Sequence, residues 1–206
     1  FGWDYTTTQG WLMLGRNRKL RLETQRMYLR PPQHGDFREW AALRRNSAEF
    51  LTPWEPAWSS DHLSRKGFTN RVYWARRSIA QGTAVPLFIF RRSDNYLIGV
   101  ITMDTIRRGP AQAATLGYWI GQGFARQGYM REAILSVEHF AFRSLDLSRL
   151  EAACLPENKP SRGLLERSGF KYEGVAQSYL QINGRWRTHV LYANLRGDRR
   201  GRTDVC

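Results

Sequence analysis

Two short segments place glycine, arginine, asparagine and serine where a chain most readily meets a ligand. The first runs Trp119-Ile120-Gly121, continues through residues 122–127, and reaches Gly128-Tyr129-Met130. A strand pattern feeds a glycine-containing loop, and the loop feeds a long helix pattern. The first N–H groups of a helix have no intrahelical partner and the dipole favours negative charge, so such a junction is an anion site. Gly121, Gly123 and Gly128 allow close approach of the backbone to a ligand. Arg126 adds a planar fork suited to phosphate oxygens. The same glycines would also serve a tight strand-to-helix connection with no ligand. The segment has neither a G-x-G-x-x-G fingerprint nor a P-loop Lys-Ser/Thr, so neither a dinucleotide nor a nucleoside triphosphate is favoured.

The second segment is Cys154-Leu155-Pro156-Glu157-Asn158-Lys159-Pro160-Ser161. Asn158 and Ser161 fall at a strand exit and a helix entry. Both side chains are suited to capping that helix. With a ligand along the strand edge, Asn158 could instead bond an amide-bearing arm and Ser161 could face the reacting end. The four histidines, His34, His62, His139 and His189, have no metal-ligand spacing, and Cys154 reads as strand filler without a paired base.

The elements that must position these residues follow from periodicity. Residues 26–30 alternate and stop at Pro31-Pro32, a first strand. Asp36 is a candidate N-cap for a helix carrying Phe37, Trp40, Ala41 and Leu43. After the break at Pro53-Trp54-Glu55-Pro56, Phe68, Val72, Ala75 and Ile79 recur at helical spacing up to Gly82. Strands are expected at 87–90, 96–103 and 115–120, and a long helix at 129–145 with Met130, Ala133, Ile134, Val137, Phe140 and Ala141 on one face. A strand at 150–155, a short helix at 160–168 closed by Gly169, and a hairpin of 170–179 with 186–193 across Asn183-Gly184 complete the order. This is one mixed α/β (α+β) domain: a mostly antiparallel twisted sheet flanked by about four helices.

The chain has 206 residues, 42% of them apolar, enough for one domain with a real core. No apolar run approaches the ~20 residues of a membrane span, and Cys154 and Cys206 cannot make a disulfide framework. That usage fits a reducing cytoplasm. Residues 1–20 read as a lead-in, 21–195 as the domain, and 196–206 as a basic flexible tail. Lysine and arginine number 32 against 18 acidic residues, a net charge of +14. A field of this sign attracts polyanions such as nucleic acid, ribosomes or phosphate-rich cofactors.

The chain resembles the GNAT superfamily of N-acetyltransferases, and within it the RimJ-type ribosomal-protein-alanine N-acetyltransferases. The matching residues include Leu29-Arg30-Pro31-Pro32, Phe50-Leu51-Thr52-Pro53-Trp54-Glu55-Pro56, and Leu116-Gly117-Tyr118-Trp119-Ile120-Gly121. Gln127-Gly128-Tyr129-Met130, Asn158-Lys159-Pro160-Ser161, Gly169-Phe170 and Asn183-Gly184-Arg185-Trp186-Arg187 continue the set, which spans residues 20–195. The resemblance implies acetyl-coenzyme A as co-substrate and no metal. Its pyrophosphate would lie on Ala125, Arg126, Gln127, Gly128, Tyr129 and Met130. Its pantetheine arm would lie along the strand ending Tyr118-Trp119-Ile120, held by backbone groups, with Gly121, Asn158 and Ser161 also among the cofactor-binding residues. The loop departs from the family pattern: Ala125 replaces the opening Gln or Arg, and Arg126 stands at a missing glycine. Many relatives have a tyrosine acid where this chain has Leu165, so Ser161 takes the role of reprotonating the leaving thiolate. Trp54 and Glu55 would wall the acceptor site, and Tyr179 and His189 would face the acceptor. No residue announces itself as a base; Glu55 and Glu173 are the acidic candidates. The expected acceptor is a protein N-terminus, ribosomal, with ribosome or RNA contact through the basic surface. Two other readings stay open, a basic ribosome- or RNA-binding module with weak or no catalysis, and acetylation of a small-molecule amine.

Overall fold

The computed structural model describes residues 20–197, so the lead-in and most of the basic tail lie outside the described residues. Eight strands form one sheet in the order β1-β2-β3-β4-β5-β6-β8-β7. They are β1 (Leu22–Glu23), β2 (Met27–Arg30), β3 (Val85–Arg91), β4 (Leu97–Arg107), β5 (Ala113–Ile120), β6 (Arg149–Cys154), β7 (Lys171–Ile182) and β8 (Arg185–Leu195). Only β5 and β6 pair in parallel. The helices are α1 (Phe37–Asn46), the single turn α2 (Ala48–Leu51), α3 (Arg65–Gln81), α4 (Tyr129–Arg143) and α5 (Lys159–Arg167).

The strand alternation divides the core between two faces of the sheet. Met27, Leu29, Leu87 and Ile89 join Met130, Ala133, Ile134 and Val137 of α4 in one cluster. Tyr28, Phe88 and Phe90 join Trp40 of α1 with Phe68 and Val72 of α3 in the other. Residues 85–90 are buried throughout, as a central strand covered on both faces requires. Gly82 ends α3 with φ 71, and Asn183 (φ 46) with Gly184 (φ 75) forms the tight turn of the last hairpin.

Two local expectations are corrected. A two-residue strand, β1, precedes the expected first strand and pairs Leu22 with Leu29. Asp36 stands at the start of α1 but does not cap it with its side chain. Its carboxylate instead accepts from the Arg30 guanidinium at 2.7 and 2.8 Å and from the Gln33 N–H at 2.8 Å. The nearby cation outcompetes the helix amides for a charged acceptor.

Ion pairs absorb acid after acid: Glu23, Asp36, Glu55, Asp94, Glu132, Glu151, Glu157 and Glu173 all face arginines. Glu173 is therefore held by Arg149 on the sheet surface, and its part as a base candidate has no support here. The surplus cations Arg38, Arg45, Lys66, Arg76 and Arg77 are exposed on α1 and α3.

Candidate active site

The site begins where the parallel ladder stops. β5 and β6 pair from Ala113↔Arg149 to Thr115↔Glu151 and no further, although β5 continues to Ile120 and β6 to Cys154. β6 keeps its other neighbour to the end, through Cys154↔Val190. A gap thus opens between the two strand ends. Along β5 the Gly121 N–H donates to the Ile98 carbonyl at 2.9 Å, and the register pairs Val100 with Trp119. Hydrogen-bonded pairs alternate in an antiparallel ladder. Trp119 and Gly121 therefore spend their main-chain groups on β4, while Tyr118 and Ile120 turn theirs into the gap. This revises the expectation for Gly121. Its N–H is used within the sheet, and a Cβ there would sit 2.4 Å from Leu43 Cδ1, so it is a packing glycine.

Across the gap, Tyr118 Oη and Ser161 Oγ are 2.9 Å apart. Burial pushes the Tyr118 phenol above its usual range, more than the Ser161 hydrogen bond lowers it, so the phenol stays protonated. Ser161 owes its position to α5. Asn158 Oδ1 caps that helix by accepting from the Ser161 N–H at 3.1 Å. Capping is thus the work of Asn158 alone, and the Ser161 hydroxyl is directed to Tyr118. The Asn158 amide nitrogen has no partner among the described residues, which leaves a donor at the same edge. Cys154 is buried beside Ser161, and burial pushes its thiol up.

The loop before α4 has the geometry of an anion cradle. Arg126 (φ 61) and Gly128 (φ 80) are both left-handed. Turns that alternate handedness align successive N–H groups toward one point. Arg126 therefore keeps the backbone shape for which a glycine is the usual residue, at a cost of about 1–2 kcal/mol. None of the N–H groups of Gln127, Gly128, Tyr129 and Met130 donates to another described residue, and residues 126–128 are exposed. Ala125 ends the preceding 3-10 turn, its N–H bonded to Gln122 O.

Arg26 fastens this loop from behind. It donates from Nη1 to Gln127 O at 3.0 Å and from Nε to Glu132 Oε2 at 2.8 Å, and its guanidinium lies 4.4 Å from the Tyr129 ring centre. The Arg26 N–H also donates to Glu132 at 2.9 Å. With the Gln127 carbonyl drawn toward Arg26, the loop's free N–H groups are left for a ligand.

On the other side stands a cationic and aromatic cluster. Arg44, 4% exposed, donates to both oxygens of Glu55 at 2.8 and 2.6 Å, and Trp58 Nε1 donates to Glu55 at 2.9 Å. The Arg44 guanidinium lies 4.3 Å from the Trp58 ring centre and 4.7 Å from that of Trp119. His62 stacks on Trp58 at 4.6 Å and takes a contact of 3.1 Å from Arg44 Nη2 at its Nε2. Burial first, then the charges of Arg44 and Arg71, lower the His62 pKa to about 4. Its Nε2 is then an acceptor for the Arg44 N–H. Glu55 is thus engaged on both oxygens and holds the loop; it is not a free carboxylate awaiting an amine.

The remaining expected acceptor residues are brought to the same side in part. The Asn183 N–H donates to the Glu55 carbonyl at 3.1 Å, docking the β7–β8 turn on the loop that carries Trp54. Tyr179 meets His189 edge-on at 5.7 Å between ring centres. Tyr179 is exposed, whereas His189 is buried with Nδ1 donating to Arg187 O, so only Tyr179 presents a surface. Sequence reasoning missed Arg26, His62 and Arg71 as parts of the site, and it laid the cofactor arm along the Tyr118 strand without giving the Tyr118 hydroxyl a part. Tyr118 had a usable signal, because it shares a strand face with Ile120 on the same side of β5. Arg26 and Glu132 are too far apart in the chain for any local pattern to join them. Among the described residues no group of three His, Cys, Asp or Glu is placed to hold a metal ion.

Unpaired N–H groups opening α4 thus lie beside a gap between parallel strands. Residues 26–171 match the family described as Acetyltransferase (GNAT) domain. The chain is 35% identical over 175 residues to the ribosomal protein uS5-alanine N-acetyltransferase of Escherichia coli, covering 85% of this chain and 90% of that one. The ribosomal-protein-S5-alanine acetyltransferase of Vibrio fischeri superposes with a TM-score of 0.81 at 26% identity, over 88% of this chain and 100% of that one. Mycobacterium smegmatis RimJ, solved in complex with CoA-disulfide, superposes at 0.80 with 28% identity over 89% and 88%. The chain belongs to the GNAT acetyltransferase family.

Proposed function

We propose that this protein transfers the acetyl group of acetyl-coenzyme A to the α-amino group of a protein N-terminus, that of a ribosomal protein, by direct transfer in a ternary complex. The observation that carries the reading is the gap after Thr115↔Glu151, with the free loop N–H groups at one end and the Tyr118–Ser161 hydroxyl pair inside it. The N–H groups of residues 127–130, with Arg126, suit a pyrophosphate. Main-chain groups of Tyr118 and Ile120 suit an extended amide arm, which would act as a further strand beside β5. The Asn158 amide nitrogen is a donor on the opposite edge.

The amine attacks the thioester carbonyl, and the Ile120 N–H is placed to steady the oxyanion, in place of the Gly121 N–H that the sheet consumes. As the C–S bond breaks, the thiolate takes the Ser161 Oγ proton, Ser161 regains one from Tyr118, and the proton shed by the new amide nitrogen returns to Tyr118 through solvent, so amine and thioester give amide and thiol with both hydroxyls restored. An α-amino group has a pKa of ~8, so a useful fraction is neutral near pH 7.5 without a base. Holding both reactants in line then supplies much of the rate. A covalent acetyl-cysteine has little support: Cys154 is buried with its thiol pushed up, and among the described residues no carboxylate or imidazole hydrogen-bonds it.

Support for a protein acceptor comes from the docked Glu55–Asn183 wall and from relatives whose names specify ribosomal proteins. The exposed cations of α1 and α3 fit an acceptor met on the ribosome, since a +14 chain repels a free basic protein. A reducing cytoplasm is the compartment this implies. The test is thiol release from acetyl-coenzyme A with peptides bearing free N-terminal Ala, Ser, Thr or Met. Turnover on at least one peptide, and none on its N-terminally blocked form, is expected. Activity on small amines with none on any peptide overturns the protein-acceptor assignment.

A further inference from the structure

The aromatic cluster beside the site holds two guanidinium groups and one carboxylate. Arg44 is matched by Glu55 at 2.6 and 2.8 Å. Arg71, on α3, has no hydrogen bond and no ion pair with any described residue, and its Nε is buried without a partner. Its guanidinium lies 5.1 Å from the Trp40 ring centre. Burial first, then the charge of Arg44, lowers the Arg71 pKa, and Glu55 offsets this only in part. His62 stays neutral between the same charges and so contributes no anion and no compensation.

A half-buried cation without an anion is costly unless something supplies one. Elsewhere on this chain nearby acids meet their arginines; Glu23, Asp36, Glu132 and Glu173 show the pattern. The surplus cations of α1 and α3 that lack an acid are exposed to water, whereas Arg71 lacks one while half-buried. Trp40, beside Arg71, lies 5.5 Å from His62 between ring centres, His62 stacks on Trp58 just after Glu55 in the loop that carries Trp54, and Arg44 bridges from there to Trp119 on the strand of the reaction gap.

Building on the acetyltransferase reading, we propose that Arg71 anchors a carboxylate carried by the acceptor: an Asp or Glu side chain among the first few residues behind the reacting N-terminus. A carboxylate fits better than a phosphate dianion. Glu55 already cancels one of the two positive charges, leaving a single charge to match, and a planar guanidinium pairs a carboxylate oxygen for oxygen. The anchor adds to the specificity of this acceptor site because an uncharged peptide leaves Arg71 still unpaired. That penalty separates the two peptides more than the attraction of the new ion pair does.

The experiment compares matched peptides with free N-terminal alanine, carrying Glu or Gln at the second, third or fourth position. The KM of the best Glu peptide should lie about tenfold or more below that of its Gln partner, with kcat similar. In Arg71→Gln that ratio should collapse to near one, and Arg71→Lys should restore part of it. Melting shifts with acetyl-coenzyme A show that each variant is folded. Peptide affinity is also measured at equilibrium in the presence of coenzyme A, so the comparison is read even where turnover is absent. No turnover on any peptide, with a Glu preference in binding, sinks the acetyl-transfer assignment and keeps the anion site. Equal affinities for Glu and Gln peptides in the unaltered protein overturn the anion site, whatever the turnover. Arg71-dependent binding of a short single-stranded RNA, with no peptide preference, overturns it as well.

Discussion

The hydroxyls of Tyr118 and Ser161 stand 2.9 Å apart, one from β5 and one from the first turn of α5, across the place where the parallel strands part. Neither element could set this pair alone. Asn158 fixes the start of α5 by capping it, and the end of the β5–β6 ladder leaves room for the phenol. A serine that gives up a proton needs it replaced, and the phenol, kept protonated by burial, holds its proton on the hydrogen bond to that serine.

The pair predicts an inversion in stability. Ser161→Ala should lower kcat by about 10²-fold with less effect on the affinity for acetyl-coenzyme A. It also leaves the half-buried Tyr118 hydroxyl unpartnered, at about 1–3 kcal/mol. Adding Tyr118→Phe removes that orphan, so the double variant should unfold at higher denaturant than Ser161→Ala while staying as slow. Urea unfolding beside steady-state kinetics reads both. A double variant less stable than the single one rules out the hydroxyl pair as drawn.

Glu55→Gln separates support from catalysis. Arg44 is almost fully buried and has Glu55 as its carboxylate. Removing the charge should destabilise the protein by about 3 kcal/mol. Activity per folded molecule should fall mainly through KM, as the wall around Trp54 and the docked Asn183 loosen. Full stability with kcat lost at low pH and recovered as the amine deprotonates would instead identify Glu55 as the base.

His62 gives a pH signature. Its folded pKa of about 4 lies below the ordinary 6.5, so the unfolded chain binds the extra proton between those values. Stability tied to this ring is complete above pH 6.5 and is lost as pH falls toward 4. Partial exposure screens the effect, so about 1–2 kcal/mol should disappear across that window. His62→Gln should flatten the acid slope between pH 6.5 and 4 in thermal or urea unfolding. An unchanged slope would place the titration on other groups.

Much of the scaffold was legible because its signals are local. The apolar face of α4, the Gly82 stop and the Asn183-Gly184 turn each follow from residues within one or two turns of chain. β1 escaped because two residues carry no period. The loop before α4 was legible as a glycine-containing strand-to-helix junction, but not the way Arg126 adopts a left-handed conformation without glycine. Gly121 stayed two-sided in the sequence because a tight approach of Leu43 and a tight approach of a ligand demand the same residue. Glu55 was read as an acidic candidate at the acceptor wall, and nothing in the order of residues reveals that Arg44, one helix earlier, reaches it with both amino groups. Long-range pairings such as Arg26–Glu132 become visible only when the sheet has brought β2 beside α4.

The short ladder between β5 and β6 also divides the molecule mechanically. Five strands lie on one side of that seam and three on the other. Three residue pairs join them edge to edge, while Met130, Ile134 and Phe140 of α4 share a cluster with residues from both sides. The seam is the natural line for sub-global opening, in which the β6–β8 unit with α5 loosens while the larger half keeps its hydrogen bonds. A ligand laid along the unpaired end of β5 would lengthen the seam from three pairs toward the full strand. Its effect on amide exchange would then reach β6 and β8, far beyond the residues it touches.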